Sequence, residues 1–251
     1  MTTQIDELIT FLSGSITPFH AVEVMAKTLQ QAGFEQLDQF DAALMTPGNG
    51  YFVVHQGSSL MALRAGQSSV EGGLRLVGAH TDSPNLAVKP NPVKGRDGCI
   101  QLGVDVYGGA LLNPWFDRDL GMAGRVTVLT ADDTLETTLF DTGRPVAVIP
   151  SLAIHLDREA NSQRSINAQK DVVPLVMLGE HQQFDLKVWL AQELARVDSQ
   201  WQGARVMDYE LSLYDTQLPT QIGIEGDFIA SARLDNLLSC YAGMRALIDA
   251  D

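Results

Sequence analysis

Leu74-Arg75-Leu76-Val77-Gly78-Ala79-His80-Thr81-Asp82-Ser83-Pro84 is the stretch whose reading decides the fold. Its short apolar run predicts a buried strand over 74–79, and Pro84 stops the chain from continuing as sheet or helix. Such a strand delivers His80 and Asp82 into a loop at its carboxyl end, where ligands bind in open α/β sheets. Neutral imidazole is the commonest protein metal ligand. A carboxylate two residues on can accept the other ring N–H, which fixes the tautomer and raises the ligand's basicity. A His and an Asp in an ordinary polar turn have the same spelling, so the pair needs support from elsewhere in the chain.

Upstream of this stretch, Ile5, Leu8, Ile9 and Leu12 fall at helical spacing, and Ser13-Gly14-Ser15 ends that helix. A second helix starts with Thr17 as N-cap and Pro18 at its first position, and Gly33 stops it. Residues 51–54 and 60–64 read as a hairpin around Gln56-Gly57-Ser58-Ser59. Downstream the texture changes. Lys89-Pro90-Asn91-Pro92 reads as an extended crossing segment, followed by β-type runs over 100–107, 125–130, 135–140 and 146–149. The run 151–156 is ambiguous, 161–170 is a polar loop, 184–197 is a helix and 205–214 returns to β. A short strand over 227–231, a loop over 233–236 and a helix carrying Leu237, Cys240, Tyr241, Met244, Leu247 and Ile248 restore the opening texture. The expected organisation is an α/β domain from 1–90 and 227–251, interrupted by a β-rich insertion over 91–226. The last helix runs to Asp251 with no Gly or Pro stop, which predicts a truncated polypeptide.

The bulk properties narrow the function classes. The chain has 251 residues, long enough to bury roughly three-quarters of its unfolded surface. Its 17 basic and 31 acidic residues give a net charge of −14, which argues against nucleic acid and against an anionic membrane surface as partners. A bound divalent cation would offset part of the self-repulsion. Two cysteines far apart, Cys99 and Cys240, form no CxxC pair and no disulfide framework, so the expected compartment is a reducing cytoplasm. No basic n-region with an apolar h-region opens the chain, and no apolar run approaches the ~18 residues of a membrane-spanning helix. GxGxxG, P-loop, GxSxG and HExxH motifs are all absent.

Asp235 is the second residue to single out. Between a strand and a helix, Asp is a preferred N-cap; a carboxylate there could also reach a metal held at a neighbouring strand end and bridge two ions through its two oxygens. His155 lies among apolar neighbours, for which a satisfied core or interface histidine is the default reading; His20, His55 and His181 receive no role. Asn113-Pro114-Trp115-Phe116-Asp117-Arg118-Asp119 packs aromatics among charges, as a rigid polar corner or subunit contact does. Leu139-Phe140-Asp141-Thr142-Gly143 has the Asp-Thr-Gly of aspartic proteases, which would require a dimer, against a plain β-turn with Asp first and Gly closing it.

Five segments together resemble the aspartyl aminopeptidase family of zinc exopeptidases. They are Thr17-Pro18-Phe19-His20-Ala21-Val22, Gly78-Ala79-His80-Thr81-Asp82-Ser83-Pro84, Trp115-Phe116-Asp117-Arg118-Asp119-Leu120, Ile154-His155-Leu156-Asp157-Arg158 and Ser231-Ala232-Arg233-Leu234-Asp235-Asn236. The resemblance implies an α/β catalytic domain with two zinc ions, interrupted by a β-rich dimerisation and lid domain. It implies that His80 is a zinc ligand, that Asp82 orients it within the catalytic group, and that Asp235 bridges the metals. His155 matches a family histidine viewed either as a metal ligand or as a substrate-binding residue lent to the neighbouring subunit; its position in the insertion favours the second. The family's general base and remaining ligands follow this helix and have no counterpart here, so the chain alone is expected to be inactive. Peptides are the implied substrates and a second copy the implied partner. The competing class is a non-catalytic binding or assembly module.

Overall fold

The computed structural model describes residues 3–38, 45–67 and 73–250. They form two compact units, Met1–Ser83 with Leu218–Asp251, and Pro84–Gln217, each with its own apolar core.

The first unit opens with helix α1, Gln4–Gly14, started by a capping box: the Thr3 hydroxyl accepts from the Asp6 amide and the Asp6 carboxylate from the Thr3 amide. Helix α2, Pro18–Gln31, starts on Thr17 with proline at its first position, as its sequence predicts. Gly33, at φ +84°, turns the chain out of it. Strands β1 (Glu35–Gln36), β2 (Gly50–His55) and β3 (Ser59–Arg64) make a sheet of order β1-β2-β3, in which the hairpin runs in register from Gly50↔Arg64 to His55↔Ser59. Leu8, Phe11, Leu12, Val22, Met25, Leu29 and Phe52 pack between the helices and this sheet.

The strand expected over 74–79 does not form. Residues 73–84 have no regular structure, and Leu74, Leu76 and Val77 are 75%, 87% and 80% exposed. An apolar run becomes a strand only where neighbours take its backbone groups, and no described strand is hydrogen-bonded to this one.

The second unit begins with β4 (Asn85–Arg96) and β5 (Cys99–Tyr107), joined as a hairpin. Lys89-Pro90-Asn91-Pro92, expected as a crossing segment, lies within β4 where the register shifts between Val88 and Val93, a bulge that accommodates residues unable to donate to the ladder. Strands β6 (Leu120–Leu129), β7 (Leu135–Asp141) and β8 (Leu175–Leu178), helix α3 (Leu186–Val197) and strand β9 (Arg205–Asp215) complete a sheet of order β7-β6-β9-β4-β5-β8. The run 146–149 contributes single bridges, Leu120↔Ala147 and Val148↔Leu175, so the sheet curls until β8 meets β6 through it. Leu186, Leu190 and Leu194 of α3 enter the core of this sheet. At Gly124 a Cβ would lie 1.9 Å from the Glu210 carbonyl oxygen, so only glycine lets β6 and β9 approach.

The chain then returns to the first unit through the hairpin β10 (Thr220–Ile222) and β11 (Phe228–Ala230) and helix α4 (Leu234–Ile248). Asp235 and Asn236 are non-helical, so the regular helix starts beyond them. Its Leu237, Cys240 and Met244 pack into the core of α1 and α2. Asp251, the last residue of the expected helix, lies outside the described residues.

Candidate metal centre

His80 reaches its place at the end of an irregular segment. Its Nδ1 faces the Asp82 backbone carbonyl at 3.0 Å and the Asp82 carboxylate at 3.2 Å. Both partners are acceptors, so Nδ1 carries a proton, and Nε2 is the ring nitrogen turned away from Asp82. That nitrogen lies 3.4 Å from Oδ1 of Asp235. Helix α4 starts without a side-chain cap, and the Asp235 carboxylate, which could have supplied one, points at the imidazole instead. The Asp235–Asn236 peptide is cis.

Three hydroxyl or thiol groups fix the backbone around this pair. Ser83 Oγ donates to the Asp235 carbonyl at 2.8 Å, Thr81 Oγ1 donates to the Ser58 carbonyl at 3.0 Å, and Cys240 Sγ donates to the His80 carbonyl at 3.2 Å. Burial pushes the Cys240 thiol up, and the nearby charge of Asp82 adds to the shift, so the sulfur stays protonated and remains a donor. Arg233 sits in the left-handed region at φ 63°, and its Nε donates to the Ser15 carbonyl, tying the loop before Asp235 to the end of α1. Sequence reasoning singled out His80, Asp82 and Asp235, which the structure brings together, and gave no part to Ser83 and Cys240, which bond to this loop pair. Cys240 reads only as an apolar helix position, and Ser83 only as part of a turn.

The donor set is one imidazole and one carboxylate, the nitrogen and oxygen ligands that zinc accepts, and the histidine carries the carboxylate partner usual behind a ligating ring. Their chemistry fits a zinc ion. Two donors fall short of the three protein ligands of a catalytic zinc, however, and no group of three or more His, Cys, Asp or Glu able to hold a metal occurs among the described residues.

The other candidates resolve separately. His155 is exposed on a turn of the second unit, not in a core, because the apolar residues around it, Leu152, Ile154 and Leu156, are themselves 64%, 45% and 76% exposed. Asp141 ends β7 and is consumed locally: its Oδ1 accepts from the Gly143 amide at 3.0 Å and from the Tyr214 hydroxyl at 2.6 Å, with Gly143 at φ 58°. These bonds hold Asp141 against a local bend at residues 143–144. Asp117 accepts from the Ser151 amide at 2.8 Å, which lowers its carboxyl below the usual range and ties the aromatic-rich segment to residue 151. No helix among the described residues is long and apolar enough to cross a membrane.

Residues 11–251 match the family model for the aminopeptidase I zinc metalloproteases (M18). The chain is 51% identical over 246 residues to a probable M18 family aminopeptidase 2 of Pseudomonas entomophila, covering 97% of this chain and 57% of that protein. It is 52% identical over 247 residues to the equivalent protein of Ectopseudomonas mendocina, again 57% of its length. The chain thus spans little more than half of the curated relatives it matches. Among solved structures it resembles Ape4 in its complex with Nbr1, at TM-score 0.88 and 35% identity, covering 96% of this chain and 49% of that one. It also resembles the S. cerevisiae mApe1 dodecamer, at TM-score 0.78 and 27% identity, covering 96% and 55%.

Proposed function

Because the chain belongs to the M18 family of zinc aminopeptidases, we propose that it is the part of a metallo-aminopeptidase that supplies His80 and Asp235 to a dinuclear zinc site. The observation that carries this reading is the 3.4 Å approach of His80 Nε2 to Asp235 Oδ1, with Nδ1 held from behind by Asp82. Zinc in such a site lowers the pKa of a bound water toward ~7 and polarises the scissile carbonyl. The chain's own residues act by position. Asp82 would hold the His80 ring from behind so that Nε2 could take a metal, and the two oxygens of Asp235 would let one carboxylate serve two ions. The substrate class that follows from the resemblance is a peptide with an acidic N-terminal residue. His155 is assigned to substrate binding in a neighbouring copy, and its exposure on a turn suits a residue used outside its own chain. Self-association through the inserted unit fits that assignment and the dodecameric state of one structural relative.

With two donors among the described residues, the chain alone is expected to hold zinc weakly and to be inactive. The purified chain, supplied with zinc and an N-terminal aspartyl peptide, is expected to release no aspartate above background. Zinc-dependent release by this chain alone would refute the half-site. Co-expression with the unmatched remainder of the Pseudomonas entomophila relative tests the assignment of residues: zinc-dependent release that survives both His80→Ala and Asp235→Ala would remove these two from the site.

A further inference from the structure

The two donors come from segments distant in sequence, and neither sits in regular structure: His80 lies in the irregular run 73–84, and Asp235 precedes the regular part of α4. Secondary structure therefore does not set the distance between the imidazole and the carboxylate.

Two side chains bridge this gap, and they do so reciprocally. Ser83, from the segment of His80, donates to the backbone carbonyl of Asp235; Cys240, from the helix of Asp235, donates to the backbone carbonyl of His80. Each donor residue is thus held at its own peptide by a group from the opposite segment. Both bridging residues are buried, 9% and 7% exposed, so water does not readily substitute for either.

We propose that Ser83 and Cys240 form a clamp that sets the His80–Asp235 spacing before metal arrives, as positioning residues that do not themselves ligate. The inference rests on the reading of this pair as a half-site for zinc. Groups behind metal ligands commonly change affinity without touching the ion, because they decide how much reorganisation binding requires. Losing either bond frees one donor's peptide to rotate, so the imidazole and the carboxylate must be brought together again at the expense of binding energy.

The test is a zinc titration of the 251-residue chain, followed through the ring resonances of His80, in variants whose folding is checked by thermal unfolding. Ser83→Ala and Cys240→Val each remove one donor with little change in volume, and each is expected to weaken zinc about tenfold. Ser83→Thr keeps the O–H donor and Cys240→Ser puts an O–H donor in place of the S–H, and both are expected to bind as the unaltered chain does. The clamp is overturned if Ser83→Ala and Cys240→Val bind zinc normally, or if Cys240→Ser is weakened as much as Cys240→Val. The zinc reading is judged separately in Asp235→Asn, also followed at His80: an unaltered titration there removes the half-site itself, and the clamp with it. Ser83 and Cys240 are read independently, so unfolding of one variant leaves the other to decide.

Discussion

At the scale of single residues, a side chain's role follows from which neighbours it can satisfy. Tyr209 on β9 donates its hydroxyl to the carbonyls of Lys89 and Pro90 at 2.8 and 3.0 Å, where the bulge of β4 leaves them available. Burial, with the charges of Asp208 and Asp185, pushes its phenol from 10.0 up to about 12. The folded chain therefore keeps this proton where the unfolded chain has lost it, so the contribution is intact below pH 10 and is lost as pH rises toward 12. Urea midpoints measured across that range are expected to fall less in Tyr209→Phe than in the unaltered chain. At neutral pH the same substitution is expected to cost about 1–2 kcal/mol, because the single O–H that the two carbonyls share is lost. Such a role was invisible in the sequence, where Tyr209 is one alternating strand residue among several. His80 and Asp82 stood out in the sequence as a His-x-Asp pair closing an apolar run, and Asp235 as a carboxylate between a strand and a helix. What no local pattern could supply was Ser83 and Cys240, whose partners lie across the fold.

At the scale of elements, start and stop signals carried most of the information. Thr17-Pro18 and Gly33 bound α2 because N-capping, a preset φ and a left-handed exit are local demands that the sequence meets itself. Asp185 does the same for α3, accepting from the amides of Lys187 and Val188 at 2.8 and 3.2 Å. Asp185→Ala is expected to destabilise the chain by about 1 kcal/mol in chemical denaturation. Leu190→Ala, at a fully buried position of the same helix, is expected to cost about 2–5 kcal/mol, since it opens a cavity in the sheet's core. Gly124→Ala should be worse than either, because its Cβ meets backbone that cannot move without parting β6 from β9. The expected strand over 74–79 failed for the opposite reason: a strand depends on neighbours, and periodicity speaks only for the residue's own chain. The four-residue β8, whose register to β5 shifts between Ile100 and Gln101, gave too short a signal to be read at all.

At the scale of the whole molecule, 31 acidic against 17 basic residues leave a net −14, and the site adds two carboxylates around one imidazole. That surplus suits a cation at His80 and Asp235. The unpaired run before His80 gives a second, independent check on the architecture. Amides of residues 74–79 are expected to exchange with solvent almost without protection, while those of β6 and β9 exchange slowest, as a core ladder should. The most direct test of the central claim is to titrate the histidine-labelled chain with Co2+, the paramagnetic substitute for zinc, and watch its five histidines by NMR. The His80 ring protons are predicted to shift and broaden first, and to lose that selectivity in Asp235→Asn. Equal effects at all five rings, or a His80 response unchanged by Asp235→Asn, would contradict a shared metal site.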